Sequence, residues 1–366
     1  MTSGRTVHVV LGTKAQYIKT APLIRRLVDE RVPHRLVDLG QHGELTESLR
    51  SELGIGEPDL RIGGSSDVSS IPQAARWAAG LAGETVSPRK VRQEIFAGRP
   101  GAVLVHGDTP STLLGAMLAR RARLPLAHLE AGLRSGRITH PFPEEAIRVA
   151  VMRRSDLLLA PDGGAVANLR RMRGVHGRVV RLPGNTGAEA LHTALGSQPI
   201  APSGPAVVTC HRVENLHRQD RLRGVVDLAV GLGRIGPVRF VVHGPTSGRL
   251  ASLGLDRRLR EAGVETVELQ PYPTFVRSLA AAWLVVTDGG SIQEECARLG
   301  VPTLLWRAAS ERPDGLGANI RLTGYDVDGA LRVAGDPEAL RRPPQPLDEP
   351  PSAVAAAELA RLACLI

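Results

Sequence analysis

Short, uninterrupted apolar runs alternate with stretches of helical periodicity along the whole chain. In the first half the apolar runs predict strands at Val7–Leu11, Arg35–Leu39, Ala102–His106, Leu126–Leu129, Leu157–Ala160 and Val179–Leu182. Helical spacing predicts helices at Ile18–Glu30, Glu44–Leu53, Ile71–Ala82, Pro88–Phe96, Pro110–Arg121, Glu144–Arg153 and Gly164–Arg173. The second half repeats the rhythm, with strands at Ala206–Thr209, Arg239–His243, Thr266–Leu269, Leu284–Thr287 and Thr303–Leu305. Its helices are expected at Asp220–Leu232, Arg249–Ala262, Thr274–Ala281 and Ile292–Leu299. Brief, continuous apolar runs belong to strands covered on both faces. Their alternation with helices makes a parallel α/β architecture. The expected fold is therefore α/β, with two doubly wound, Rossmann-like domains facing a cleft, a favoured ligand site in such folds.

The rhythm breaks over Leu182–Pro205, a Pro-, Gly- and Ser-rich stretch of linker composition that contains one short helical pattern, Thr186–Ala194. This sets domains at 1–183 and 184–351. The loop-like Arg341–Pro351 precedes a last helix, Ala353–Leu365, which has no sheet of its own, so 352–366 is expected to rejoin the first domain. With 366 residues, 42% hydrophobic and 23% charged, the chain can bury two ordinary cores, which excludes a largely disordered protein. No apolar run reaches transmembrane length, and the N-terminal run is too short for a signal peptide. The three cysteines, Cys210, Cys296 and Cys364, form no CxxC pair, which fits a reducing cytoplasm and neither a disulfide framework nor a zinc site.

A net charge of +9 raises nucleic-acid binding, but the arginines are spread along the chain and aromatics are only 3%, too few for base stacking. The densest run, Arg170, Arg171, Arg173, Arg178 and Arg181, reads as a solvated helix end and loop. A basic protein equally suits an acidic small molecule such as a phosphorylated one. The lysines are only Lys14, Lys19 and Lys90, and two of them stand together just after the first strand.

Loops leaving the carboxyl ends of such strands face the ligand crevice. The first carries Lys14 and then Lys19, which is expected in the first helical turn, where the helix dipole does not help a cation and an external anion would. Asp108 ends the strand AVLVH, either as a functional carboxylate or as the N-cap of the next helix. Glu130 follows the next strand, and Glu144 and Glu145 open a helix, where the bland reading is dipole complementarity. Carboxylates sharing a site push each other's pKa apart and supply both an acid and a base. In the second half, His211 and Arg212 leave the first strand, and Thr287-Asp288-Gly289-Gly290-Ser291 turns from a strand into a helix whose amides suit phosphate oxygens. Glu295, one turn on, could accept from a ribose diol. This order, carboxylates first and phosphate turn second, reads as a nucleotide-sugar enzyme.

The segments LGTKAQYIKTAPL, VHGDTPSTLLGAMLA, AHLEAGLRSG, PFPEEAIR, GNTGAEAL, HRVEN, TDGGSIQEE and ERPDG together resemble the UDP-N-acetylglucosamine 2-epimerase family, collinearly from about residue 8 to residue 326. The resemblance implies a GT-B-type fold and conversion of UDP-N-acetylglucosamine (UDP-GlcNAc) to UDP-N-acetylmannosamine (UDP-ManNAc) through elimination of UDP to a 2-acetamidoglucal and re-addition. It implies catalytic roles for Lys19, Asp108, Glu130, Glu144 and His211. It places UDP and its phosphates on Lys14, Arg148, Arg212, Gly289, Gly290, Ser291, Glu295 and Arg312, with no metal or other cofactor. It also implies a homodimer. The chain departs from the family pattern at Lys14 and Gln16, where GTRPE is usual, at Ile147, where an Asn is usual, at Met152-Arg153, where Asp-His is usual, and in the order Gly289-Gly290-Ser291. Gln41-His42 resembles the start of a second, activating substrate site, but Glu44 replaces its Gln, so activation by substrate is not expected. The other readings are a hydrolysing 2-epimerase that releases UDP and free sugar, and a diverted GT-B glycosyltransferase.

Overall fold

The computed structural model describes residues 5–41, 49–62, 87–135, 143–196, 200–310 and 312–364. The expected helix Ile71–Ala82, the start of Glu44–Leu53, and His42, Glu44, Pro141 and Phe142 lie outside the described residues. The chain divides into two compact units, Met1–Ala190 with Leu347–Ile366, and Leu191–Pro346. The division falls within the helix Thr186–Leu195.

The first unit holds a parallel sheet of β1 (Thr6–Leu11), β2 (His34–Asp38), β3 (Leu60–Arg61), β4 (Gly101–His106), β5 (Leu126–Leu129), β6 (Leu157–Ala160) and β7 (Arg178–Arg181). Its spatial order is β3-β2-β1-β4-β5-β6-β7. The chain order reverses between β1 and β4, which pair with Val9 opposite Leu104. That reversal is the topological switch point at which ligands of doubly wound sheets bind. Every residue of β1, β4, β5 and β6 is buried, as expected for strands covered on both faces. Helix Pro351–Cys364 belongs to this unit: Ser352 Oγ donates to Glu189 Oε1 at 2.7 Å, and the Ser352 amide to Glu189 Oε2 at 3.0 Å.

The second unit holds β8 (Ala206–Thr209), β9 (Val238–Val242), β10 (Glu265–Glu268), β11 (Val285–Thr287), β12 (Thr303–Leu305) and β13 (Ile320–Leu322), in the order β10-β9-β8-β11-β12-β13, all parallel. Its switch point lies between β8 and β11. Val208, Phe240, Val286, Leu304 and the wholly buried Trp306 build its core.

Three sequence expectations are corrected. The helix expected over Arg249–Ala262 is two helices, Gly244–Ser252 and Leu255–Glu261, because Gly254 takes a left-handed φ of 66° that breaks the helical hydrogen-bond ladder. Pro88–Phe96 is a short α-turn, Pro88–Lys90, continued by a π-helical turn, Val91–Ile95. The strands β3 and β13 were not expected, since two and three residues are too few to show a pattern. No helix among the described residues is long and apolar enough to cross a membrane.

Candidate active site

In the first unit the β1 turn is capped by Thr13, whose hydroxyl accepts from the Gln16 amide, so helix Lys14–Asp29 begins at Lys14. Lys19 is therefore in the second turn, not the first, and its charge is matched from within the protein. Its Nζ lies 2.6 Å from Glu130 Oε1, with each side chain only 9% exposed. The same oxygen accepts from Asn185 Nδ2 at 2.7 Å, and Asn185 Oδ1 accepts from the Gly187 amide at 2.8 Å. Glu130 holds a left-handed backbone, φ 65°, which costs a non-glycine residue about 1 kcal/mol or more and is typical of sites where geometry outranks comfort. Glu130 Oε2 lies 3.7 Å from His106 Nε2. This is not an ion pair, because burial lowers the His106 pKa to about 4. Burial does the same to His128, whose Nε2 donates to the Gly107 carbonyl at 2.7 Å. Two neutral imidazoles thus lie close to the turn that carries Asp108.

Asp108 is not a helix cap. Thr109 caps helix Pro110–Arg121, accepting from the Thr112 amide, and this removes the bland reading of Asp108. One Asp108 oxygen accepts instead from Arg148 Nη2. Arg148 Nη1 donates to Glu145 Oε2 at 2.8 Å, and Glu145, wholly buried, also accepts from Arg134 and from the Ser135 amide. Both terminal nitrogens of Arg148 are therefore engaged by carboxylates. Glu144 stands next to Glu145 on the same helix, yet its Oε2 is buried with no hydrogen-bond partner among the described residues. Adjacent helical residues point about 100° apart, so one of the pair braces the site while the other faces a different environment.

Two departures from the family pattern find a structural place. Gln16 is buried, accepts from the Gly12 and Thr13 amides at 2.8 and 3.1 Å, and donates to the His106 carbonyl at 2.8 Å. It joins the turn after β1 to the turn after β4. Met152 is wholly buried, and its Sδ accepts from the Gly132 amide at 3.1 Å. Asn185, His106 and Gln16 were not among the sequence candidates. Asn185 lay in a motif already singled out, but its partner is 55 residues away.

In the second unit the loops after β8 and β11 meet at its switch point. Gly289 caps helix Gly290–Leu299 without a side-chain hydrogen bond, leaving the first-turn amides at Gly290 and Ser291 uncapped by any side chain. A Cβ at Gly289 would lie 2.7 Å from His211 Cε1, so any larger residue there forces the imidazole to shift. Arg212 Nε donates to Glu214 Oε1 at 2.7 Å. Ser291 is exposed, and Glu295 Oε1 accepts from the Tyr272 hydroxyl at 3.1 Å. Arg312 pairs with Glu294 at 2.9 Å, and Gln293 Nε2 donates to the carbonyls of Arg312 and Asp314, holding that loop against the helix. Lys14 is half-buried at the start of its helix in the first unit.

The family model described as UDP-N-acetylglucosamine 2-epimerase matches residues 26–330. The UDP-N-acetylglucosamine 2-epimerase of Methanocaldococcus jannaschii is 30% identical over 350 residues, 89% of this chain and 90% of the relative. That of Bacillus subtilis is 30% identical over 341 residues, 90% of this chain and 86% of the relative. The UDP-2,3-diacetamido-2,3-dideoxy-D-glucuronate 2-epimerase of Pseudomonas aeruginosa is 28% identical over 317 residues, 83% of this chain and 84% of the relative. The crystal structure of the M. jannaschii enzyme in complex with UDP-GlcNAc and UDP has the same fold, with a TM-score of 0.80 at 24% identity, covering 96% of this chain and 99% of that one. The sequence segments, the paired switch points and these likenesses lead to one conclusion: the chain belongs to the UDP-N-acetylglucosamine 2-epimerase family.

Proposed function

We propose that this protein inverts C2 of a UDP-2-acetamido sugar, taking UDP-GlcNAc to UDP-ManNAc. One observation carries the reading: around the first switch point, three carboxylates have three different settings. Glu130 meets Lys19 and Asn185, Asp108 meets Arg148, and Glu144 buries an oxygen without a partner among the described residues. Inversion needs a group on each face of the sugar, so different settings are what the chemistry requires.

A base takes the C2 proton, the C1–O bond to UDP breaks, and the electron pair forms the C1–C2 double bond of a 2-acetamidoglucal. UDP then adds back through the same oxygen, and a proton reaches C2 from the other face. Atoms and electrons balance without oxidation. Asp108, Glu130 and Glu144 share the proton steps, and Lys19 holds Glu130. Because Lys19 and Asn185 both donate to Oε1, a proton on Glu130 would sit on Oε2. UDP is assigned to Arg212, Gly289, Gly290, Ser291, Glu295 and Arg312, with His211 donating to the departing diphosphate and Lys14 and Arg148 completing the phosphate set. Uncapped amides and cations stabilise developing phosphate charge.

This reading gives Asp108, Glu130 and Glu144 to a domain of 1–183 with 352–366, and most of the nucleotide contacts to 184–351. A homodimer follows from the family resemblance, and light scattering tests it. The three free cysteines support a reducing, cytoplasmic setting. The relatives named above are epimerases, which supports re-addition of UDP over hydrolysis or transfer to an acceptor. Proton NMR of UDP-GlcNAc with the protein in D2O decides the matter. Loss of the C2 proton signal with appearance of UDP-ManNAc is expected. Free UDP with free sugar would mean hydrolysis, and no exchange would mean a different sugar nucleotide.

A further inference from the structure

Asp288 has no role in the reading above, yet it is the wholly buried carboxylate directly after β11. Its partners all come from the β8 side of the switch point. The His211 amide donates to Oδ1 at 3.1 Å, and the Arg212 amide to Oδ2 at 3.0 Å. Asn215 Nδ2 and the Cys210 thiol reach the same Oδ2 at 2.9 and 3.3 Å. The His211 ring lies beside this set, its buried Nδ1 3.3 Å from Asp288 Oδ1, a charge contact outside hydrogen-bond geometry. Gly289 clears the other side of the ring, and the His243 ring lies 5.1 Å away between centroids.

A neutral imidazole carries one proton, and the charge or hydrogen-bond partner facing each nitrogen decides which nitrogen holds it. A carboxylate facing Nδ1 draws the proton there and leaves Nε2 for the ligand. We propose that Asp288 is a positioning residue for the elimination: it pins the backbone of His211 and Arg212 and keeps one His211 proton on Nδ1, so that Nε2 faces the departing diphosphate and donates to it only when the ring carries its second proton. When His211 takes up a second proton, that proton is on Nε2. The catalytic consequence rests on the role proposed for His211, whereas the tautomer does not.

The test is long-range 15N–1H NMR of the imidazoles in the full-length protein without substrate, at mildly alkaline pH. The spectrum of His211→Gln assigns the signal among the 11 histidines. The Nδ1–H tautomer of His211 is expected in the wild type, with a shift toward Nε2–H in Asp288→Asn. In the D2O exchange assay, Asp288→Asn should lower kcat by about a hundredfold while KM moves by less than about threefold, the pattern of a misplaced acid–base group. An Nε2–H tautomer in the wild type overturns the inference, even if Asp288→Asn fails to fold. An unchanged tautomer or an unchanged kcat in a folded Asp288→Asn also overturns it. If the wild type shows the Nδ1–H tautomer, lost in Asp288→Asn, but exchanges nothing with UDP-GlcNAc, the epimerase reading fails and the seating of the ring by Asp288 stands.

Discussion

Replacing Lys19 by Met removes the ammonium that lies 2.6 Å from Glu130 Oε1. Met keeps most of the aliphatic stem, so the change is mainly one of charge. With both side chains 9% exposed, water cannot readily take the place of the lost cation. Breaking a buried pair by removing one partner costs about 3–5 kcal/mol. Asn185 continues to donate to the same oxygen, which places the loss near the lower end, about 3 kcal/mol. For a unit of this size that corresponds to a fall of about 6–12 °C in Tm. Differential scanning calorimetry suits the measurement, because a chain of two units need not unfold in one step. Adding Glu130→Gln to Lys19→Met should recover part of the loss, since the uncompensated charge is then gone while the strained φ of 65° is kept. A Tm within about 2 °C of wild type for Lys19→Met, or no recovery in the double variant, would refute the claim that this pair is a buried, mutually dependent unit.

The remaining predictions concern the acid–base set, the phosphate turn and pH. Asp108→Asn and Glu144→Gln should each slow C2 exchange in D2O by about a hundredfold or more, and rates within about tenfold of wild type would remove these residues from the proton steps. Gly289→Ala puts a Cβ 2.7 Å from His211 Cε1 and should weaken UDP binding about tenfold by titration calorimetry. Unchanged affinity would mean that this turn does not hold the nucleotide. Burial lowers His8, His106 and His128, all in the first unit, from 6.5 to about 4. The unfolded chain then takes up these protons before the folded one does, so stability is intact above 6.5 and is lost as pH falls toward 4. The cost is about 2 kcal/mol per histidine at about pH 5, and equal Tm values for this unit at about pH 7.5 and pH 5 would contradict neutral rings.

The fold was largely legible in the chain, and the reason is physical. Strands covered on both faces leave continuous apolar runs, and Leu126–Leu129, Leu157–Ala160, Ala206–Thr209 and Thr303–Leu305 run between the residues expected. Helix Pro110–Arg121 announces itself through Thr109 and Pro110, a local cap chemistry. The strands β3 and β13 were illegible, because so few residues carry no period.

What the sequence by itself determined was the alternation of elements and the family. These depend on residues near one another in the chain, or on collinear segments. Only the tertiary structure decided which charges meet. Lys19 and Glu130 are 111 residues apart, Arg148 and Asp108 are 40 apart, and the amide of His211 finds Asp288 across 77. The sequence could not separate Glu144 from Glu145, nor Asp108 from a helix cap, because both distinctions rest on hydrogen-bond geometry: Glu145 meets Arg134, Ser135 and Arg148, while Thr109 makes the cap and Asp108 meets Arg148. Burial is likewise a property of the packed sheet, and it is burial that makes His106 and His128 neutral and the Lys19–Glu130 pair costly to break.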